Sequence, residues 1–234
     1  QVPLSHLGRA FTDTRFLSAL MVGNFVAIPL LVAALLQFLP AEPLLVIGVL
    51  FVLLTPCVDY VVTFSHLGRG DSKSLLAATP LLLLAQMALL PFYLGLLIGD
   101  EVAELVKPEP FLHAFAVLIA GPLLLAGLLQ LMARKAKPGE MLVGRLGLAP
   151  VPATALVLFV VICAVVPQLG LASNSVLTVA PIYVVFAIIA PIAGWLVARA
   201  FSLPADQVRA VAFSTATRNS LVILPLALAV PGAI

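Results

Sequence analysis

Charge is the scarcest commodity in this sequence. Only 9% of its 234 residues are Asp, Glu, Lys or Arg, against about 25% in soluble domains. The net charge of +2 excludes the concentrated basic face of a nucleic-acid binder. Cysteine is almost missing: Cys57 and Cys163 make no disulfide framework. The three histidines, His6, His66 and His113, do not cluster. No His/Cys/acid set has metal-ligand spacing and no glycine-rich loop cradles a phosphate, so no metal, no cofactor and no enzyme activity are expected. What remains is apolar. The chain is 63% hydrophobic with mean hydropathy +1.22, more apolar surface than a soluble core of this size can hide. The expected solvent is the lipid bilayer and the expected class an all-α polytopic membrane protein.

Crossing roughly 30 Å of hydrocarbon takes about 20 apolar residues. Stretches of that kind run over 16–40, 44–65, 74–99, 110–133, 147–168, 172–198 and 208–230. The connections between them carry charge unevenly. Arg9, Arg15, Arg69, Lys73, Arg134, Lys135, Lys137, Arg145, Arg199 and Arg209 fall in alternate connections, while Lys107 alone joins Asp100, Glu101, Glu104 and Glu109 on the other side. The positive-inside rule assigns the basic connections, 134–145 included, to the cytoplasm, with the chain multi-pass in the plasma (inner) membrane. The chain opens mid-stream at Gln1-Val2-Pro3-Leu4 and closes in an apolar run at Pro231-Gly232-Ala233-Ile234, and it reads as a fragment lacking both ends.

Prolines punctuate the segments, and most read as kinks. Two segments differ because polar groups surround the expected break: Thr55-Pro56-Cys57-Val58-Asp59 in the second, and Ser214-Thr215-Ala216-Thr217-Arg218-Asn219-Ser220, with Pro225 beyond, in the seventh. These segments cross in opposite directions. Interrupted helices at corresponding positions of two inverted halves are the sequence pointer to a transporter's binding site. Asp59 and Arg218 are the acid and the base inside the membrane, where each costs about 2.5–3.5 kcal/mol on insertion scales. They are expected to pair where the two breaks meet, either as a clamp or as a working part. Cys57 reads either as a small buried hydrophobe or as a soft ligand facing the cargo path. Cys163 has no polar company and reads as inert packing.

The pieces "GNFVAIPLL" (23–31), "TPCVDYVVTFSHLGRGD" (55–71) and "FSTATRNSLVILPLALAV" (213–230) resemble the bile acid/sodium symporter superfamily, and within it the arsenical-resistance (arsenite exporter) branch. The resemblance implies an inverted-repeat secondary transporter with two crossed, broken helices. It implies a single transporter domain over 1–234, with about 16–99 and 172–234 in a core and about 110–168 in a panel. The family's first helix, most of its second, and its tenth would be absent. Cys57 falls on the characteristic cysteine of the arsenite exporters, and Asn219 on the polar break of the ninth helix. Departures are also visible. Val61, Val62 and Leu75 stand where sodium-coupled relatives place hydroxyl or amide side chains; Thr79 keeps its hydroxyl. Ser214 or Leu221 stands where a glutamate is expected, and Arg218 replaces a neutral polar residue. A cation there disfavours sodium coupling.

The leading expectation is efflux of arsenite or antimonite, small oxyacids, by alternating access driven by protons or the membrane potential. Cys57, Thr55, Thr217 and Asn219 would bind the cargo, Asp59 would carry the proton with Arg218 as countercharge, and Asn24, Thr79, Ser214 and Ser220 would line the site. One alternative keeps the fold and gives Arg218 an organic carboxylate, as in the bile-acid branch. Another is a membrane sensor that binds a ligand without moving it. The oligomeric state is left open by the sequence.

Overall fold

The computed structural model describes residues 13–58, 60–98 and 173–218, with a few helical positions between 121 and 164. The chain divides into two compact units, one built essentially of Leu112–Thr178 and the other of Val2–Phe111 with Val179–Ile234. The contacts described below belong to the second unit.

Among the described residues the architecture is helical: α1 (Thr14–Leu36), α2 (Pro43–Leu53), α3 (Tyr60–Leu67), α4 (Ser72–Ile98), α5 (Ser173–Ala200) and α6 (Ala205–Ala216). Helices α1, α4 and α5 are long and apolar enough to cross a bilayer, matching the stretches expected at 16–40, 74–99 and 172–198. The stretch at 44–65 is split into α2 and α3. The one at 208–230 begins as α6 and loses its helix after Ala216. The stretches at 110–133 and 147–168 lie outside the described residues, apart from those isolated positions. Leu84 and Leu96 of α4, and Val184, Ile188, Ile192 and Leu196 of α5, are exposed. Such apolar stripes suit acyl chains rather than water.

The helix starts follow from local chemistry. Asp13 caps α1 by accepting from the Phe16 N–H at 3.1 Å, and Asp71 does the same for Ser74 at the start of α4. Both satisfy donors that a helix N-terminus leaves orphaned. Pro43 opens α2 at a position where a missing N–H costs nothing.

Proline has three different outcomes. Pro80, Pro91, Pro181 and Pro191 stay inside continuous helices. Pro56 sits in the gap between α2 and α3. Pro29 follows a π-helical turn at Gly23–Ala27 inside α1. A proline has no N–H for the carbonyl four residues back, which here is Phe25, and the Tyr93 hydroxyl of α4 donates to that carbonyl instead. The widened turn and its replacement donor fasten α1 to α4.

One end of this unit is tied together by polar bonds. Gln207 Nε2 donates to Asp13 Oδ2 at 2.7 Å, the Asp71 N–H to the Asp206 carbonyl at 3.0 Å, and Arg209 Nε to the Arg69 carbonyl at 2.9 Å. These ties gather the start of α1 and the α3–α4 and α5–α6 connections, three of the connections in which basic residues accumulate. Beneath them lies a core of Phe16, Ala19, Leu20, Val58, Val61, Leu75, Ala78, Leu82, Val208 and Val211.

Candidate functional site

The two broken segments meet. Pro56 and Arg218 form an isolated antiparallel bridge, and the Cys57 N–H donates to the Thr217 carbonyl at 3.0 Å. Two short extended pieces thus use each other's backbone groups, which a helix break in hydrocarbon must otherwise leave unsatisfied. Pro56 helps make this possible, because it has no N–H to continue α2. Cys57 is 1% exposed, so its sulfur is turned into the protein and away from lipid.

Helix α6 is held at the crossing by close approach on two sides. A methyl added to Gly23 would come within 2.9 Å of Thr215 Cγ2, and one added to Gly194 would collide with the Thr215 hydroxyl. Thr215 Oγ1 lies 3.1 Å from the Ala190 carbonyl of α5, linking the helices by a hydrogen bond as well. Glycine at both contacts allows α1 and α5 to approach α6 this closely, as small residues do between membrane helices.

The π-turn of α1 presents Asn24, which is fully buried. Its Nδ2 donates to the Leu20 carbonyl at 3.1 Å and to Ser214 Oγ at 2.9 Å. With the amide nitrogen fixed, Oδ1 faces Arg218 and accepts from Nη2 at 3.3 Å. The same Nη2 donates to the Thr215 carbonyl. The guanidinium also sits 5.4 Å from the ring centre of Phe186 on α5, a cation–π distance, and it is an electrostatic neighbour of Cys57. Its other nitrogens, Nε and Nη1, are buried with no hydrogen-bond partner among the described residues. Arginine has five N–H donors and no acceptor, so donors of a full positive charge remain unused in a low-dielectric place.

The residues expected at the site are treated differently from one another. Cys57, Thr217, Arg218, Ser214 and Asn24 come together. The Thr55 hydroxyl returns to the Phe51 carbonyl at 2.6 Å, and that of Thr217 to Phe213 at 2.8 Å. In this structure Thr217 contributes its carbonyl rather than its hydroxyl. Thr79 bonds the Leu75 carbonyl at 3.3 Å within α4. Val61 and Leu75, at the departures from sodium-coupled relatives, are fully buried among apolar side chains. Asp59, Asn219 and Ser220 lie outside the described residues, and with them the expected Asp59–Arg218 pair. Cys163, expected to be packed, is exposed. Tyr93 and Phe186 were not singled out in the sequence, and Thr215 was named only as part of the polar stretch, with no role of its own. The only signal of Tyr93 and Phe186 was an aromatic group inside an apolar run.

A family model described as the sodium bile acid symporter family matches residues 1–179. The match ends before α6, so the partnership of Cys57 with Thr217 and of Asn24 with Arg218 is a feature of the coordinates themselves. No curated protein matches the chain.

Proposed function

The chain belongs to the sodium bile acid symporter family and is a membrane transporter of that type, not an enzyme; on that premise we propose that its cargo is an anion received by Arg218 at the crossing of the two broken helices. The observation that carries this reading is the buried guanidinium whose Nε and Nη1 have no hydrogen-bond partner among the described residues. Unsatisfied buried donors of a charged group are costly. An organic carboxylate brings charge and acceptors together and relieves both deficits. The covering Phe186 ring offers an apolar wall to the remainder of such a molecule.

Asp59, two residues past Cys57, is proposed as the group that competes with cargo for Arg218. It takes the guanidinium when cargo leaves, and protonation releases it. Transport then follows by alternating access, one compact unit serving as core and the other as panel. The division of the chain into Leu112–Thr178 and the remainder supports that assignment. The basic connections, 134–145 among them, are placed on the cytoplasmic side of the plasma membrane.

A second reading, efflux of arsenite or antimonite, rests on Cys57, whose buried sulfur adjoins the crossing. Trivalent metalloids are thiophilic, and thiolates are soft ligands. Flux in proteoliposomes separates the two. Uptake of labelled taurocholate or a small carboxylate that survives Cys57→Ser and disappears in Arg218→Ala supports the organic anion. Arsenite movement lost with Cys57→Ser supports the metalloid. A protein that shows no counterflow of any of these probes is not a carrier for them, and the anion reading would then be abandoned for a sensor.

A further inference from the structure

The described groups that touch the Arg218 guanidinium favour a positive charge. Asn24 Oδ1 and the Thr215 carbonyl point at Nη2, and the face of Phe186 lies 5.4 Å away. Helix α6 ends at Ala216, and Thr217 is extended at φ −93°, ψ 125°. The last carbonyls of α6 therefore lack helical partners and present the negative end of the helix dipole. Asn24 cannot turn its oxygen elsewhere without breaking two bonds, because its nitrogen is held by Leu20 and Ser214. Oxygen acceptors converging on a point inside a membrane protein form the kind of nest that a hard metal cation would otherwise occupy. Here the chain fills it with its own side chain.

We infer that the Arg218 guanidinium is a tethered substitute for a co-transported metal cation, so that this member of a sodium symporter family works at the crossing without sodium. The inference rests on the proposed reading that the crossing is the cargo site. The two nitrogen sets divide the labour. Nη2 is held by the protein's oxygens and fixes the charge in place, while Nε and Nη1 are left for the anion. A covalently attached charge cannot dissociate on the far side of the membrane, so a sodium gradient has nothing to act on at this point. The driving force must come from the anion, from protons or from the membrane potential.

The test uses the purified full-length protein in lipid nanodiscs, with thermal unfolding followed in sodium, potassium and choline chloride at matched ionic strength. Wild type is expected to unfold at the same temperature in all three. Arg218→Ala frees the oxygens, and its unfolding temperature is expected to rise in sodium relative to choline. Arg218→Lys, which keeps a charge, is expected to stay indifferent. Sodium-selective stabilisation of wild type overturns the inference, and so does a folded Arg218→Ala that ignores sodium. If Arg218→Ala does not fold, wild type and Arg218→Lys decide: indifference in both sustains the inference, and a sodium response in either overturns it. Taurocholate flux in proteoliposomes keeps the two proposals apart. Flux that requires sodium sinks the tethered cation and leaves the anion reading standing. Absence of flux alongside sodium-indifferent stability sinks the anion reading alone.

Discussion

Helix α6 carries Arg209 near one end and Arg218 just past the other, and the two arginines live by different rules. Arg209 is exposed, donates to the Arg69 carbonyl, and sits among ties that join Asp13 to Gln207 and Asp71 to Asp206. Water can satisfy whatever those bonds leave over. Arg218 lies in the apolar interior, anchored through one nitrogen, with two others unpartnered among the described residues. The first arginine fastens connections; the second holds unused bonding capacity where it is expensive. That contrast separates a structural end of the helix from a working one.

The strongest way to break the comparison is Arg218→Ala. Truncating a buried, hydrogen-bonded charge costs about 2–5 kcal/mol, so anion uptake is expected to fall roughly thirtyfold or more, with Arg218→Lys in between. Uptake within a factor of about three of wild type would put the cargo elsewhere. Next in size is Gly194→Ala, which drives a methyl into Thr215. Overpacking of this kind costs about 1–3 kcal/mol, to be read as a lower unfolding temperature. Gly48→Ala is its control, since a methyl there meets nothing within 4 Å and helix propensity favours alanine by roughly 0.5–1 kcal/mol.

Tyr93→Phe removes the donor that replaces the missing N–H of Pro29. About 1 kcal/mol of stability should be lost, together with weaker cargo affinity because Asn24 shares that turn of α1. An unchanged affinity would confine Tyr93 to a packing role. The smallest effect is expected for Arg209→Ala, an exposed position worth less than about 1 kcal/mol, with transport essentially retained.

The loss of helix after Leu53 and after Ala216 was legible because polar groups, with Pro56 in one case and Pro225 beyond the other, interrupt apolar runs, and inverted order makes such segments candidates to cross. The partnership of Cys57 with Thr217 was legible only as a neighbourhood. Residue type does not say which hydrogen bond a hydroxyl will choose, and both Thr55 and Thr217 return theirs to their own helices. Asn24 was expected only to line the site. That it orients toward Arg218 depends on Ser214, 190 positions away, which no local pattern encodes. The π-turn was hidden for a similar reason: Pro29 alone reads as a kink, and the sequence does not say that Tyr93 on another helix supplies the donor for the Phe25 carbonyl. Gly23 and Gly194 likewise acquire meaning only when Thr215 is found between them.

The widened turn at Gly23–Ala27 also sets a strict tally on the first span. Removing one residue from it would let α1 run on with ordinary bonding, and by backbone criteria the helix would look improved. Every side chain before the cut would nevertheless swing by about 100° relative to those after it. Phe16, Ala19 and Leu20 would then leave their shared seat with Val208 and Val211. The phase of this helix is therefore something that a shortened variant cannot recover by becoming more regular.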